Sequence, residues 1–225
     1  MTTFQRARSE EQREARRAAI LETAAEMLET MPVAALTLNE LARRVGLAKS
    51  NVLRYFESRE AVLLELLDRA EGRWLAALPP RLDAAIPPDA SAADRGDRLA
   101  AALAESLAGE RVLCDLLSAQ AAVLERNIST EVALDYKRAA ARHRATLTGL
   151  LRRHLPELGE SAGSLCRHII LVTGAVATHA DPAPSVLAAY EADPAVGAMR
   201  IDFTDFLTTT IATLTAGTLA RAARR

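Results

Sequence analysis

The chain has 225 residues, half of them apolar and a quarter charged, which is typical of a globular protein with one large domain or two small ones. Its formal net charge of −1 does not favour a nucleic acid, an acidic substrate or an anionic membrane as partner. With only 4 Phe, 3 Tyr and 1 Trp, a module that stacks bases or sugars on several rings is disfavoured, and so is a β-rich architecture.

The cellular compartment is predicted from features that the sequence lacks. Two cysteines, Cys114 and Cys166, are too few for a disulfide framework and have no metal-site spacing, so a reducing compartment is expected. The charged N-terminal segment has no apolar core of a secretory signal. The longest charge-free run, residues 206–220, is shorter than the roughly 20 apolar residues that span a bilayer. We therefore expect a cytoplasmic protein with no membrane partner.

Two capping boxes predict the first two helices. Ser9–Gln12 predicts a helix that begins at Ser9, because the serine and glutamine side chains each satisfy an unpaired backbone amide. Thr37–Glu40 predicts a second helix, which is short because Gly46 suits the left-handed turn beyond a helix end. The predicted apolar stripes are Ile20, Ala24, Met27, Leu28 and Met31 in the first helix and Leu38, Leu41, Ala42 and Val45 in the second.

The later helices are predicted from proline punctuation between runs of helix-forming residues. A third helix is expected over residues 48–56, and a fourth from Ser58 to about Leu78, where a double proline is expected to stop it. The four prolines within residues 79–90 predict a domain boundary or a long connection. No strand pattern competes, so an all-α fold is predicted, with further helices at 91–108, 110–125, 130–154, 161–180 and 200–220.

The segment Thr37–Val62 is the most informative part of the chain. A short capped helix, a glycine turn and a second short helix, preceded by a longer one, predict a helix-turn-helix. In that motif polar or cationic groups of the last helix enter the major groove above an apolar underside. The pattern puts Lys49, Ser50, Asn51 and Arg54 on the outer side and Leu47, Val52 and Phe56 beneath.

Local charge supports a DNA-binding role for this segment. Residues 41–56 contain Arg43, Arg44, Lys49 and Arg54 and no acid, a charge of +4 that leaves −5 for the remainder of the chain. The sequence thus predicts a small basic DNA-binding segment in a protein that is otherwise acidic. An ordinary corner of a helical bundle with solvated arginines remains an alternative at this point.

Together with residues 20–25 and Ser58–Glu60, the segment closely resembles the N-terminal DNA-binding domain of TetR-type transcriptional repressors. The resemblance covers about the first quarter of the chain, and its matching positions are Thr37, Leu41, Ala42, Gly46, Leu47, Lys49, Tyr55, Phe56 and Arg59. It implies an all-helical body that binds a ligand and forms dimers. Accordingly, residues 9–57 are predicted to be the DNA-binding domain and residues 58–225 the effector-binding and dimerisation domain, with 58–78 as linking helix.

The resemblance also implies roles for single residues. Thr37, Tyr55 and Arg59 would contact phosphates, while Lys49, Ser50 and Asn51 would lie at the groove. We expect Arg43, Arg44 and Arg54 to take part in the same interface.

Two positions depart from the family pattern. Ala48 stands where serine or threonine is usual and cannot cap the helix, and Leu53 replaces a frequent tyrosine that touches DNA. Both affect the operator sequence more than DNA binding itself. Upstream, Arg6, Arg8 and Arg13 form either an arm to the minor groove or a frayed solvated tail.

An effector pocket is predicted along residues 130–154. The apolar stripe of this helix includes Tyr136 and His143, which therefore face a pocket or are satisfied residues of the core. A metal site at His168 and His179 is not expected, because eleven residues separate them and no partner motif is recognisable. The remaining effector candidates are Trp74, Cys114, Leu117, Gln120 and His168.

The last two long helices are predicted to form a dimer interface. Each is apolar on more than the single stripe that a surface helix needs, so a second buried face must be supplied. A four-helix bundle between two copies of the chain supplies it, and burial within a monomer is the alternative. The predicted interface residues are Ile169, Val172, Val176, Phe203, Phe206, Ile211 and Leu214.

Together with the resemblance to TetR-type repressors, these patterns predict a ligand-responsive repressor that binds a palindromic DNA operator as a homodimer and is released by an unidentified small-molecule effector. No cofactor and no metal are expected. The alternatives are an all-helical enzyme built around Tyr136, His143 and His168, and a helical adaptor protein. The sequence has no paired carboxylates, nucleophile–base pair, metal motif or phosphate loop that favours the enzyme.

Overall fold

In the computed structural model, which describes the backbone of residues 3–224 and the side chains of residues 10–224, every regular element is helical. The predicted all-α class is confirmed for this part of the chain. None of its helices is long and apolar enough to cross a membrane. The α-helices are α1 (Thr3–Thr30), α2 (Leu38–Val45), α3 (Lys49–Val52), α4 (Arg59–Ala85), α5 (Ala92–Ala108), α6 (Arg111–Ala119), α7 (Thr130–His154), α8 (Ala162–Ala180), α9 (Pro184–Ala192), α10 (Pro194–Gly197) and α11 (Phe203–Ala222).

The helices group into two compact units. The first unit comprises the residues up to Arg69 together with Ala119–Lys137, and the second comprises Ala70–Ser118 together with the residues from Arg138 onward. Within the first unit, the Ser129 amide donates a hydrogen bond to the Glu57 carboxylate over 2.6 Å. The predicted sequence domains, residues 9–57 and 58–225, stay a prediction.

Helix α1 is longer than its capping box predicts. It begins at Thr3, so Ser9 lies inside the helix and does not cap it. The residues before Ser9 include Gln, Ala and two Arg, which are good helix formers, and they extend the helix past the serine. Of the predicted stripe, Ile20, Ala24, Met27 and Leu28 are buried, whereas Met31 is half-buried.

Helix α2 begins and ends as predicted. The Thr37 side chain accepts a hydrogen bond from the Glu40 amide over 3.2 Å, and Gly46 adopts the left-handed conformation with φ of 73°. Leu41 and Ala42 are buried. The local capping chemistry therefore sets where the chain turns towards α3.

Regular α-helix in α3 covers only residues 49–52, so the predicted span of 48–56 is wrong. After Val52 the amides of Arg54 and Tyr55 donate to carbonyls three residues earlier, over 3.2 and 2.9 Å, so the last turn is tighter than an α-helix. Helical turns nevertheless continue to Phe56, whose amide donates to the Val52 carbonyl over 3.1 Å. We call residues 49–56 the recognition segment.

Helix α4 begins as predicted but does not stop at the double proline. The Ser58 hydroxyl accepts from the Ala61 amide over 3.1 Å, whereas the helix continues through Pro79 and Pro80 to Ala85. Two prolines remove two backbone donors. Leu78 and Leu82 are buried on either side of them, and burial of these side chains outweighs that loss.

The second unit is built around α5, which buries one face against α11. The helix predicted over 91–108 is confirmed as α5, which Ser91 caps, and the predicted α7 span is confirmed to the residue. Gly174 of α8 lies against the backbone of α6, where a Cβ would come within 3.0 Å of the Leu117 carbonyl oxygen. A glycine is thus required for this close approach.

Two features of the connecting regions were not predicted. The helix expected over 110–125 ends as α6 at Ala119 and continues as a π-helical turn over Gln120–Leu124. The short helices α9 and α10 each begin at a proline, a position where the missing amide is not needed. Prolines that the sequence pattern marks as breaks therefore serve here as helix starts.

Candidate functional site

The recognition segment separates polar from apolar side chains. Lys49, Ser50, Asn51 and Arg54 are exposed, and we call these four the reading surface. Beneath them Val52 and Phe56 are 0% and 3% exposed. This is the arrangement that the spacing predicts, with the side chains able to contact DNA held over a packed underside.

The charge of Arg43 and Arg44 is partly offset by Glu40, which lies one position before the segment of residues 41–56 with its charge of +4. The Glu40 carboxylate lies 2.6 Å from Arg43 Nη2 and 3.1 Å from Arg44 Nε. These two hydrogen-bonded guanidinium groups lower the pKa of Glu40 to about 2. Lys49 and Arg54 are therefore the cations of this region that have no carboxylate partner among the described residues.

The three residues predicted to contact phosphates lie in different environments. Thr37 is exposed, and its hydroxyl oxygen caps α2. Tyr55 is half-buried at the end of the recognition segment. Arg59 is also half-buried, and its guanidinium donates to the Val33 carbonyl and lies 3.5 Å from the Glu60 carboxylate. If Arg59 binds a DNA phosphate, the phosphate shares the guanidinium with the Val33 carbonyl and the Glu60 carboxylate.

Arg17 supports the recognition segment and was missed by the sequence argument. Its guanidinium donates to the Tyr55 carbonyl, forms an ion pair with Glu65 and lies 4.1 Å from the centroid of the Phe56 ring. A signal was present, because Arg17 precedes the buried Leu21 by one helical turn and so lies on the apolar stripe of α1.

The predicted N-terminal arm is described only in part. The side chains of Arg6 and Arg8 lie outside the described residues. Arg13 belongs to the continuous helix α1, so at that position the chain is neither an extended arm nor a frayed tail.

Trp74 and His143 border one small cavity of the second unit. The cavity has a volume of about 10 Å³, and Glu71, Arg144, Leu147 and Ile170 are among its other lining residues. Such a volume holds about one water molecule. The Trp74 indole donates to the Ser106 hydroxyl over 3.0 Å, and Ser106 donates in turn to the Leu103 carbonyl over 2.8 Å.

The other effector candidates do not share that cavity. Cys114 and Leu117 are buried in α6, and burial raises the pKa of the Cys114 thiol to about 12, with Glu110 and Asp115 adding to the effect. In the first unit, Gln120 donates to Glu125 over 2.8 Å and Tyr136 is buried.

His168 is exposed on the surface of α8, so the inward orientation expected of an effector ligand is not found. Its neighbour at one helical turn, Leu171, is also exposed, which puts this stripe of α8 on the outside. Within residues 3–224, no group of three or more His, Cys, Asp or Glu side chains is arranged to hold a metal ion.

The residues predicted for the dimer interface divide into two groups. Ile169, Val176 and Ile211 are buried within the protomer itself, because α11 packs against α5 and α8. They therefore cannot supply area to a partner without rearrangement. Phe206 is 48% exposed, and Val172, Phe203 and Leu214 are half-buried.

Two family models match the chain. The model of the C-terminal domain of tetracyclin repressor-like proteins matches residues 68–222, and the model of the tetR family of bacterial regulatory proteins matches residues 20–66. The chain belongs to the TetR family. Regulators of this family are DNA-binding transcription factors, not enzymes.

Known members of the TetR family resemble the chain in different ways. The transcriptional regulator EthR of Mycobacterium tuberculosis H37Rv is 46% identical over 54 residues, which are 24% of this chain and 25% of the relative. The match thus spans about a quarter of the length of this curated relative.

Solved structures extend the likeness in fold over most of the chain. A TetR regulator from Rhodococcus sp. RHA1 has a TM-score of 0.57 at 15% identity and covers 93% of this chain and 97% of its own. FadR from Bacillus subtilis, solved in complex with stearoyl-CoA, has a TM-score of 0.50 at 14% identity and covers 88% and 96%. At these identities the likeness shows the TetR fold alone.

Proposed function

We propose that this TetR-family regulator is a cytoplasmic repressor that binds a palindromic operator as a homodimer and leaves it when a small-molecule effector binds. The observation that carries the proposal is the reading surface, four exposed polar or cationic side chains over a packed underside. Two such surfaces related by a two-fold axis match two half-sites in successive major grooves.

The side chains suggest a division of labour on DNA. Lys49 and Arg54 are suited to guanine and Asn51 to adenine, through hydrogen bonds to base edges in the major groove. Thr37, Tyr55 and Arg59, with Arg43 and Arg44, border this surface and are proposed to bind phosphates. Phosphate contacts fix the register, whereas base contacts determine the preferred sequence.

A homodimer is supported by the exposed faces of α8 and α11. Leu171 is 69% exposed and Phe206 48% exposed, so each of these helices keeps a large apolar side chain on the outside that a second copy of the chain can cover. The hydroxyls of Thr209, Thr213 and Thr218 donate to carbonyls one turn earlier in α11, so their polar hydrogens are already satisfied. A face of this kind can pack against a second helix without losing hydrogen bonds.

Effector binding is proposed to occur at the cavity that Trp74 and His143 border. Because the cavity holds about one water in this conformation, an effector has to select a more open state of the second unit. An effector with different affinities for the closed and open states can then shift the equilibrium of the dimer between DNA-bound and released forms.

The DNA-binding part is tested by selecting duplexes from a random pool with the full-length protein. We expect a two-fold symmetric consensus. On the selected operator, the double variant Lys49→Ala, Tyr55→Ala should bind about 10- to 100-fold more weakly, since a lost base contact costs about 1–3 kcal/mol. The matched control Arg81→Ala, Tyr190→Ala likewise removes one basic side chain and one tyrosine, in this case from the second unit, and should bind normally. No enrichment, or an asymmetric single site, would contradict the proposal.

The effector part is tested with intrinsic fluorescence, because Trp74 is the single tryptophan of the chain. Stearoyl-CoA is a suitable first probe, since a regulator of the same fold was solved with it, followed by a panel of apolar metabolites. A true effector changes Trp74 emission and lowers operator affinity over the same concentration range. A compound that changes emission without releasing DNA is not the effector.

A further inference from the structure

A basic cleft opens in the first unit between α1 and the end of the recognition segment. It has a volume of about 830 Å³ and is lined by Gln12, Arg13, Arg16, Arg54 and Tyr55, with two alanines of α1 completing the lining. Three arginines thus border one space, and none of the described residues that line it is acidic. We call this space the arginine cleft.

The charge of the arginine cleft is not compensated within the described residues. Neither Arg13, Arg16 nor Arg54 forms an ion pair there. By contrast, a carboxylate lies within 4.0 Å of Arg17, Arg43, Arg44, Arg59 and Arg69 of the same unit. Five arginines of the first unit are therefore paired internally, whereas the three that line the cleft are not.

The shape of the cleft follows from the sequence of α1. Arg13 and Arg16 are three residues apart and lie on one face of the helix. Ala15 and Ala19 are small, which leaves room between the arginine side chains and Tyr55. Arg17, which donates to the Tyr55 carbonyl, holds the recognition segment against α1 and fixes the opposite wall.

This chemistry fits an anion with several oxygens. A guanidinium presents paired N–H donors that match phosphate geometry, and two or three guanidinium groups around one space stabilise a phosphodiester more than isolated surface arginines do. Arg54 and Tyr55 belong to both the recognition segment and the cleft. A chain of phosphates that enters the cleft is therefore continuous with DNA on the reading surface.

We propose that the arginine cleft binds the sugar–phosphate backbone of duplex DNA next to the bases read by the recognition segment. The proposal rests on the DNA-binding function proposed above and extends the footprint of each protomer beyond its half-site. Arg13 and Arg16 add affinity that is independent of base sequence, since they contact phosphates only.

The test compares the double variant Arg13→Ala, Arg16→Ala with the wild-type protein on the selected operator over a series of salt concentrations. A dimer that loses two phosphate contacts per protomer loses about 0.9 of log–log salt slope for each contact, a change of about 3.6. We expect affinity to fall at least tenfold, by the same factor on the operator and on base-substituted operators. Trimming the flanking base pairs should abolish the difference between variant and wild type.

Three controls keep the test decisive. The variant Arg81→Ala, Arg98→Ala removes the same charge from exposed positions of the second unit and should leave the salt slope unchanged. The variant Arg13→Lys, Arg16→Lys should retain most of the slope, which separates lost charge from a damaged helix. Circular dichroism checks that α1 remains folded in each variant.

The outcomes of this test distinguish failure of DNA binding from failure of the arginine cleft proposal. If the wild-type protein binds no duplex, the proposed DNA-binding function fails. If it binds its operator and the Arg13→Ala, Arg16→Ala variant has the same slope and affinity, the arginine cleft proposal fails while DNA binding stands. The proposal is also overturned if the second-unit control loses as much salt slope as the Arg13→Ala, Arg16→Ala variant. Tight binding of pyrophosphate to the wild-type protein overturns it too, if pyrophosphate leaves the salt slope of DNA binding unchanged.

Discussion

The two units differ in how they hold the side chains proposed to act. In the first unit the reading surface is exposed, and Arg17 together with the Thr37 cap fixes the backbone beneath it. In the second unit Trp74 is buried, and the cavity that it borders has a volume of only about 10 Å³. The proposed DNA-binding surface is thus already formed, whereas the proposed ligand-binding region is closed. On this proposal, a ligand binds only after the packing rearranges.

The largest expected effect concerns the closed packing around Trp74. Trp74→Ala removes a side chain that is 3% exposed and hydrogen-bonded to Ser106, so the free energy of unfolding should fall by about 3–5 kcal/mol. Trp74→Phe keeps most of the apolar volume and should cost about 1–2 kcal/mol. Urea denaturation followed by far-ultraviolet circular dichroism measures both. Equal losses for the two variants would show that the packing here is loose.

A second prediction concerns the close approach of α8 and α6. Gly174→Ala places a Cβ 3.0 Å from the Leu117 carbonyl oxygen and should lower the free energy of unfolding by about 1–3 kcal/mol. Gly149→Ala in α7 is the matched control, because nothing lies within 4 Å of its added Cβ. The control should raise stability by about 0.5–1 kcal/mol. If Gly174→Ala is tolerated, the second unit adapts more easily than its packing indicates.

The smallest effect is expected for the support of the recognition segment. Arg17→Ala loses a partly buried ion pair and the bond to the Tyr55 carbonyl, at a cost of about 1–2 kcal/mol in stability. Operator affinity should fall severalfold with the salt slope unchanged, because Arg17 acts on backbone position. Arg69→Ala, which removes an exposed partner of the same Glu65, should leave affinity unchanged. A reduced salt slope in Arg17→Ala would mean that Arg17 binds DNA directly.

Local chemistry in the sequence predicted the starts of α2 and α4, although not that of α1. The caps at Thr37 and Ser58 and the left-handed Gly46 depend only on residues within one turn, and each lies where its pattern indicates. The polar and apolar sides of the recognition segment were predictable for the same reason. Such features need no knowledge of the rest of the chain.

Features that depend on distant packing were not predictable from periodicity. Apolar spacing indicates that Ile169 and Ile211 are buried, but it does not say whether the same chain or a partner covers them. The continuation of α4 through Pro79 and Pro80 depends likewise on the burial of Leu82. The arginine cleft was missed because its walls come from residues nearly 40 positions apart.

The two cysteines give the second unit a property of a different kind. Both are buried and unpaired, and burial raises the pKa of each thiol. Since the thiolate is the reactive species, the closed unit should resist alkylation, and at Cys114 the thiolate fraction is lower by about three orders of magnitude. The rate at which a small thiol reagent labels the native protein then measures how often the second unit opens. This labelling rate therefore reports, through the chain's own cysteines, on the opening that the proposed effector binding requires.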